Sequence, residues 1–393
     1  MPSKGREHFE TYTKQNRVKH AILTKYLGAY LQILGPRVDA IHYIDGFAGT
    51  GSYEGKHAGS PMYAIELLSA FPNRGIASFV ENDAKSFERL KTAVASAAGV
   101  ELLADTPWLV HGEFSECLDA LLARSVLRKF RHLATFAFVD PCGLKGMHLD
   151  DLAKILRLPY AECLVFLNYD GLARWAGAVR SGSHALERFK RFFGGNAAAD
   201  AALECLESQS PLREGRLLGI YIGAIRQSSG AKFSPAFRFQ AKDRKRTSHY
   251  LIHLSQHGLA FKIMKEIMRT ESSGGDDYGT FGLIPRDDLG GQGELFRPNE
   301  ESARAEILSE LRHGQRPASL FRDEWPLRPT DMLTEREYRE ILLALEAERV
   351  VDVVDRESGH VIPASGRRRH RGSPTLGKKY DIRLREKTST QST

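Results

Sequence analysis

The chain has 393 residues, 42% hydrophobic and 27% charged, enough material for one large or two moderate globular domains. No apolar run approaches the roughly 20 residues of a membrane-spanning helix, MPSKGREHFE has no apolar leader stretch, and Cys117, Cys142, Cys163 and Cys205 show neither CxxC nor metal-ligand spacing. The expectation is therefore a cytoplasmic protein with reduced thiols, no membrane partner and no metal.

The net charge of +7 is concentrated at the C-terminus. From Gly359 onward there are nine Lys/Arg against two acids, which accounts for all of it. Such a tail either neutralises phosphates or is a disordered solubilising end.

In chain order, residues 17–34 carry apolar side chains at helical intervals and stop at Gly35-Pro36, which predicts a helix. Short β-branched or aromatic runs follow at 40–45, 76–81, 108–111, 134–140 and 162–168. Amphipathic stretches at 61–71, 84–97, 115–130 and 149–157 lie between them. Strands alternating with helices predict an α/β fold, a parallel sheet covered on both faces. Residues 171–227 look wholly helical, broken at Gly194-Gly195. Two strands (233–240 and 248–256) and a helix (258–269) come next, and 271–300, rich in Gly, Asp and Pro, reads as an irregular connector. Helices at 301–313, near 317–323 and at 334–348, then VVDVVD, a turn and HVIPA, have the order of a winged helix-turn-helix. The expected organisation is a domain over 1–270 with a helical insertion, a linker 271–300, a winged-helix-like domain 301–363 and a basic tail 364–393.

The first strand ends in Asp45, and a glycine-rich turn follows: Gly46, Phe47, Ala48, Gly49, Thr50, Gly51. Glycines at a strand-to-helix turn leave backbone N–H groups open to a close ligand. A dinucleotide site would lead GxGxxG straight into a helix, and a phosphate loop would end in Gly-Lys-Ser/Thr. Here the helix waits until about Pro61 and an acid heads the loop, which suits a cationic ligand end such as the amino acid and sulfonium of S-adenosylmethionine (SAM). The second strand ends in Glu81-Asn82-Asp83, where a carboxylate is placed to accept ribose hydroxyls. The third leads to Glu113 and Phe114, beside an adenine edge; both acids could equally be ordinary loop acids.

The fourth strand ends in Asp140-Pro141-Cys142-Gly143, similar to the DPPY-type motif of amino methyltransferases and closer to its DPxG version. In isolation Asp-Pro is simply a turn. Cys142 as a nucleophile is disfavoured, because the other motifs of cytosine-C5 enzymes are missing.

Taken together, KHAILTKYL, YIDGFAGTGSYEG…GSPMYAIELL, FVEND, FAFVDPCGL, CLVFLNYDGLAR and SHYLIHLSQHGLAFKIMKEIM resemble the three-Cys-motif partner (TcmP) family over roughly residues 15–270. The resemblance implies a Rossmann-like, seven-stranded class I SAM methyltransferase sheet, a C-terminal winged helix, and a three-cysteine, radical-SAM-like protein as a partner. On it, Asp45, Gly46, Phe47, Ala48, Gly49, Gly51, Glu81, Asn82, Glu113 and Phe114 would hold SAM. Asp140 and the Pro141 carbonyl would hold an acceptor amine of RNA or DNA. Asn168 and Tyr169 would line its pocket, with Tyr169 stacking on an extruded base or packing internally. Lys19 and His20, which match the family's entry motif, would reach the site or a phosphate, or else cap a surface helix, and Tyr53, in a loop (52–61) that could form a lid, would lie near the acceptor. The alternatives are a nucleic-acid-binding protein with an inactive SAM fold, and a protein methyltransferase.

Overall fold

The computed structural model describes residues 12–385 except 54–56, 180–182, 209, 211, 241–246, 273–278, 284–299, 329–330, 332 and 371–372. The chain divides into two compact units, Met1–Leu295 and Phe296–Thr393.

The first unit opens with α1 (Lys14–Leu34), whose Thr13 hydroxyl caps the helix by accepting from the Asn16 N–H at 3.2 Å. It continues with β1 (Ala40–Asp45), a small hairpin of β2 (Ser52–Tyr53) and β3 (His57–Ala58), α2 (Ser60–Ser69) and β4 (Gly75–Glu81). Then come α3 (Ala84–Ala95), β5 (Trp108–His111), α4 (Phe114–Leu122), β6 (Leu133–Val139), α5 (Leu149–Leu156) and β7 (Glu162–Asn168). Four helices follow: α6 (Tyr169–Val179), α7 (Ser183–Phe193), α8 (Asn196–Glu207) and α9 (Arg213–Ser229). Between α7 and α8, Gly194 and Gly195 take φ of +76° and +145°, a turn that side-chain-bearing residues rarely adopt. The unit closes with β8 (Pro235–Gln240), β9 (Thr247–Leu254), α10 (Gly258–Glu271) and β10 (Gly279–Leu283).

The sheet order is β10-β8-β9-β7-β6-β1-β4-β5. Pairs β1–β4, β1–β6, β4–β5 and β6–β7 are parallel, and β7–β9, β8–β9 and β8–β10 are antiparallel. Seven strands thus form the expected Rossmann-like sheet. The eighth, β10, lies in the stretch read as irregular: GTFGL is so short and glycine-flanked that its composition resembles a loop, and it gains strand geometry only by pairing with β8. All six residues of β1 are buried, as expected for a central strand covered on both faces. Tyr43, Phe79, Phe136 and Phe138 fill the core around it. Strand order reverses between β1 and β6, and ligands of such sheets sit at the carboxyl ends of the strands flanking that point.

The second unit has α11 (Glu300–Leu311), β11 (Arg316–Pro317), short turns of helix at Leu320–Glu324 and Trp325–Leu327, and α12 (Glu335–Ala347). It ends with β12 (Val351–Asp355), the two-residue strands β13 (Arg369–His370) and β14 (Ser373–Pro374), and β15 (Tyr380–Leu384). Thr334 and Glu337 form a capping box at the start of α12. The sheet order is β11-β15-β12, so the partner of VVDVVD is YDIRL rather than HVIPA, which contributes a single bridge at Val361. The described part of 364–393 is therefore no loose tail. Leu376, Tyr380 and Ile382 are buried in the core with Ile307, Phe321, Trp325, Tyr338 and Leu342. The high charge of the segment hid an alternation in which every second residue of β15 faces inward. Among the described residues no helix is long and apolar enough to cross a membrane.

Candidate functional site

Five parallel strands deliver Asp45, Glu81, His111, Asp140 and Asn168 to one edge of the sheet. Asp45 ends β1 fully buried, and its carboxylate accepts from the Phe47 N–H at 3.1 Å and the Tyr43 hydroxyl at 3.4 Å. Burial pushes its pKa up to about 7, against hydrogen bonds from Ser60 and the Phe47 N–H, with the neighbouring Asp140 adding to the rise.

The turn after Asp45 is held from both sides. The Gly46 N–H donates to the Phe138 carbonyl and the Ala48 N–H to the Val80 carbonyl. Gly49 and Gly51 take φ of +62° and +76°. A Cβ on Gly46 would meet the Phe114 ring at 2.9 Å, and one on Gly51 would meet Ala93 at 3.0 Å. Gly51→Ala, strained in φ and crowded, is expected to cost about 1–3 kcal/mol of stability in denaturant unfolding; an unchanged midpoint would contradict this geometry. Glu81 bridges the loop to the next helix: one carboxylate oxygen accepts from the Gly49 N–H at 2.8 Å, the other from the Asp83 N–H at 2.7 Å. Asp83 in turn caps α3 through the Ser86 N–H.

Next to this turn, a cleft is lined by Gly46, Phe47, Asn82, Gly112, Glu113, Phe114, Lys145 and Gly146. Five of these were expected cofactor residues, brought together from three loops, and Lys145 and Gly146 join them from a fourth. Phe114 is buried, 5.8 Å from the Phe47 ring, and so serves as a floor. Glu113 is half-buried and paired with Lys145 at 2.8 Å. Asn82 is exposed, and its backbone carbonyl accepts from His111 Nε2 at 3.1 Å.

Across the switch point, Asp140 follows β6 and pairs with the buried Lys19 of α1, its own carboxylate remaining partly exposed. Burial opposes the Lys19 charge, but the Asp140 carboxylate outweighs it and raises the lysine pKa. The Lys19 ammonium also lies 4.7 Å from the centre of the Phe166 ring. His249 stacks on the same Phe166 ring at 4.6 Å and 9°, in strand register with Asn168. Burial lowers the His249 pKa to about 4, so at neutral pH it is an uncharged imidazole. The Pro141 carbonyl accepts from the Gly143 N–H at 2.9 Å and keeps a second lone pair. Tyr12, His20, Tyr53, His57 and Tyr63 pack as an aromatic cluster, with Tyr12 stacked on His57 at 4.5 Å. The Tyr53 ring lies 5.6 Å from that of His20, the residue next to Lys19 in α1, and burial is the main cause that raises its hydroxyl pKa.

Two of the expected acceptor residues have other work. Asn168 Oδ1 accepts from the Gly171 N–H at 2.7 Å and holds the first turn of α6. Tyr169 is 8% exposed and meets Tyr250 edge-on at 5.9 Å, so its face packs internally instead of standing open to a base. A tyrosine that opens a helix directly after a buried strand is drawn into the strand–helix contact. Conversely, the contributions of Phe166 and His249 could not be read locally, because each lies within a strand and reaches the site only through pairing across 80 residues of chain. For Lys19 and His20 the cue was their position within the entry helix; for Tyr53, its place in the long loop.

No protein-family model matches the chain, and no curated protein matches it. Among solved structures it is similar to the Legionella pneumophila protein LPL1258 of family DUF519, at 12% identity and TM-score 0.40, covering 70% of this chain and 97% of that one. It is also similar to the O-methyltransferase TomG of Streptomyces achromogenes in complex with SAM, at 14% identity and TM-score 0.31, covering 65% of this chain and 87% of that one. A third is the O-methyltransferase of Bacillus cereus with SAH, at 11% identity and TM-score 0.31, covering 63% and 83%. At these low TM-scores, the reading of the site rests on its own residues.

Proposed function

We propose that the protein transfers a methyl group from SAM to an exocyclic amine of a nucleic-acid base. The observation that carries this is the placement of two carboxylates on either side of the switch point: Asp45 at the head of a glycine turn, and Asp140 paired with the buried Lys19. The residues fit the cofactor. A buried carboxylate whose pKa is raised to about 7 gains most from a cationic ligand end, and the cleft beside it has an aromatic floor and a polar rim. Asp45 and the Gly46–Gly51 turn would hold the methionine end, Glu81 the ribose, and Asn82, Glu113 and Phe114 the adenine. When bound, SAM supplies an activated methyl group, so catalysis by the protein is mainly positioning. Asp140 would accept one hydrogen bond from the acceptor amine and the free lone pair of the Pro141 carbonyl a second, turning the nitrogen lone pair toward the methyl group. The Lys19 ammonium donates to the Asp140 carboxylate and fixes its orientation toward the acceptor. Tyr53 and Tyr12 replace Tyr169 as the rings placed to stack on a base. The sequence resemblance to the TcmP family supports the same reading, and so does the helix–helix–helix–hairpin order of the second unit, which we assign as a winged helix.

A second reading is favoured by one observation: Asp140 is already occupied by Lys19, as it would be in a SAM-binding, nucleic-acid-binding protein without activity. Labelled SAM incubated with total RNA, DNA and protein, followed by mass analysis of the product, separates the two. Label on a base amine is the expected result. Label on protein alone, or none with SAM bound, rejects the enzyme proposed here.

A further inference from the structure

In helix-turn-helix proteins the helix before the hairpin usually enters the major groove. Here that helix, α12, holds Glu335, Glu337, Glu340 and Glu346 against Arg336 and Arg339. Arg336 is tied to Glu340 at 2.8 Å, and Glu335 lies 3.4 Å from Arg322. A net negative helix with its exposed arginine paired to its own glutamate is repelled by phosphates. The connection between β12 and β15 has the opposite sign: from Arg356 to Lys379 the sequence has seven Lys/Arg and one acid, Glu357.

The way this connection is built separates structural from available charge. Arg367 is buried, paired with Glu346 of α12 and 6.0 Å from the Tyr380 ring, so it pins the base of the loop to the helix. Arg356 is paired with Asp381 at 2.9 Å. Beyond these anchors, Arg368, Arg369, Lys378 and Lys379 are exposed. Arg369 in β13 is in register with Pro374 of β14, and the Thr375 N–H donates to the Arg368 carbonyl, so this part of the connection has strand geometry.

We propose that the second unit engages the phosphate backbone of duplex nucleic acid through this basic connection, with the exposed Arg368, Arg369, Lys378 and Lys379 as the contacts, and that α12 stays out of the groove. The proposal rests on the reading of the protein as one that acts on nucleic acid. It adds which surface does the holding, and it makes the binding nearly independent of sequence, because phosphate contacts position without reading bases.

The test is fluorescence anisotropy of the full chain with a DNA duplex and an RNA duplex of about 20 base pairs, as a function of salt. Four phosphate contacts on B-form DNA contribute a slope of roughly −3.6 in log K against log salt, or roughly 150-fold in affinity between about 50 and 200 mM. The R368A/R369A/K378A/K379A variant is expected to lose that share of the slope, while R336A on α12 stays within about twofold of wild type. Circular dichroism and SAM titration of the same samples show whether the variant is folded. A wild-type slope in the loop variant, a lost slope in R336A, or no binding of either duplex by wild type overturns the proposal. The DNA and RNA arms identify which duplex is preferred. Base methylation by a loop variant that binds both duplexes normally would leave the enzyme reading standing and this one refuted.

Discussion

Asp140→Asn is expected to lower methyl transfer by roughly 100- to 1,000-fold while changing SAM affinity less than about threefold. The size follows from losing one preorganised charged partner in a water-poor site. The asymmetry follows from the position of Asp140, which ends β6 on the far side of the switch point from the glycine turn. Asn is the informative substitution because it keeps the shape and a carbonyl oxygen facing Lys19. Asp140→Ala would leave an ammonium that is only 5% exposed without its partner, a loss of about 3–5 kcal/mol in stability. Combining it with Lys19→Met removes the stranded charge and should recover most of that stability without recovering activity. Transfer at the wild-type rate by Asp140→Asn would place the acceptor elsewhere.

The second large effect is at Asp45. Above pH 7, Asp45→Asn should weaken SAM binding by roughly 10- to 150-fold, the range for one charged hydrogen-bonded contact. Wild-type affinity should also climb with pH up to about 7 and then level, because the carboxyl must ionise before it can pair with a cationic ligand end. The stability of the protein alone moves in the opposite direction. A carboxyl with a folded-state pKa near 7 and an unfolded value of 3.8 holds more proton when folded, so stability falls as pH rises between those values and is flat outside them. Calorimetric titration across pH 5–9 reads the affinity effect, and it should vanish in Asp45→Asn. A pH-independent wild type, or a variant that binds like wild type, refutes the assignment.

The strands and the acids that end them were legible because both follow from local rules. β-branched and aromatic runs of five to seven residues between amphipathic stretches have few other solutions, and an acid at the end of such a run necessarily lies at the carboxyl edge of the sheet. Thus Asp45, Glu81 and Asp140 could be placed from spacing alone. Tyr169 shows where that logic stops, since being at a strand end does not say which way a ring turns. Tyr250, 81 residues later, decides that. The same holds for His249 and Phe166, which meet only once β9 lies antiparallel to β7. In the second unit the obstacle was composition. YDIRL sits among arginines and lysines, and a charge density that suggested either a phosphate-binding or a disordered tail concealed a central strand flanked by β11 and β12.

Glu81 has a consequence for how this cofactor site should be interrogated. Its carboxylate joins the Gly49 N–H to the Asp83 N–H, so it acts as a latch between the glycine turn and α3 before any ribose arrives. Substituting it would loosen the turn along with the proposed ribose contact, and the measured loss would combine two different free energies. Leaving the protein intact and removing one hydroxyl from the ligand isolates the contact. The difference between that loss and the loss in Glu81→Gln then measures how much ordering of the turn the latch supplies in advance.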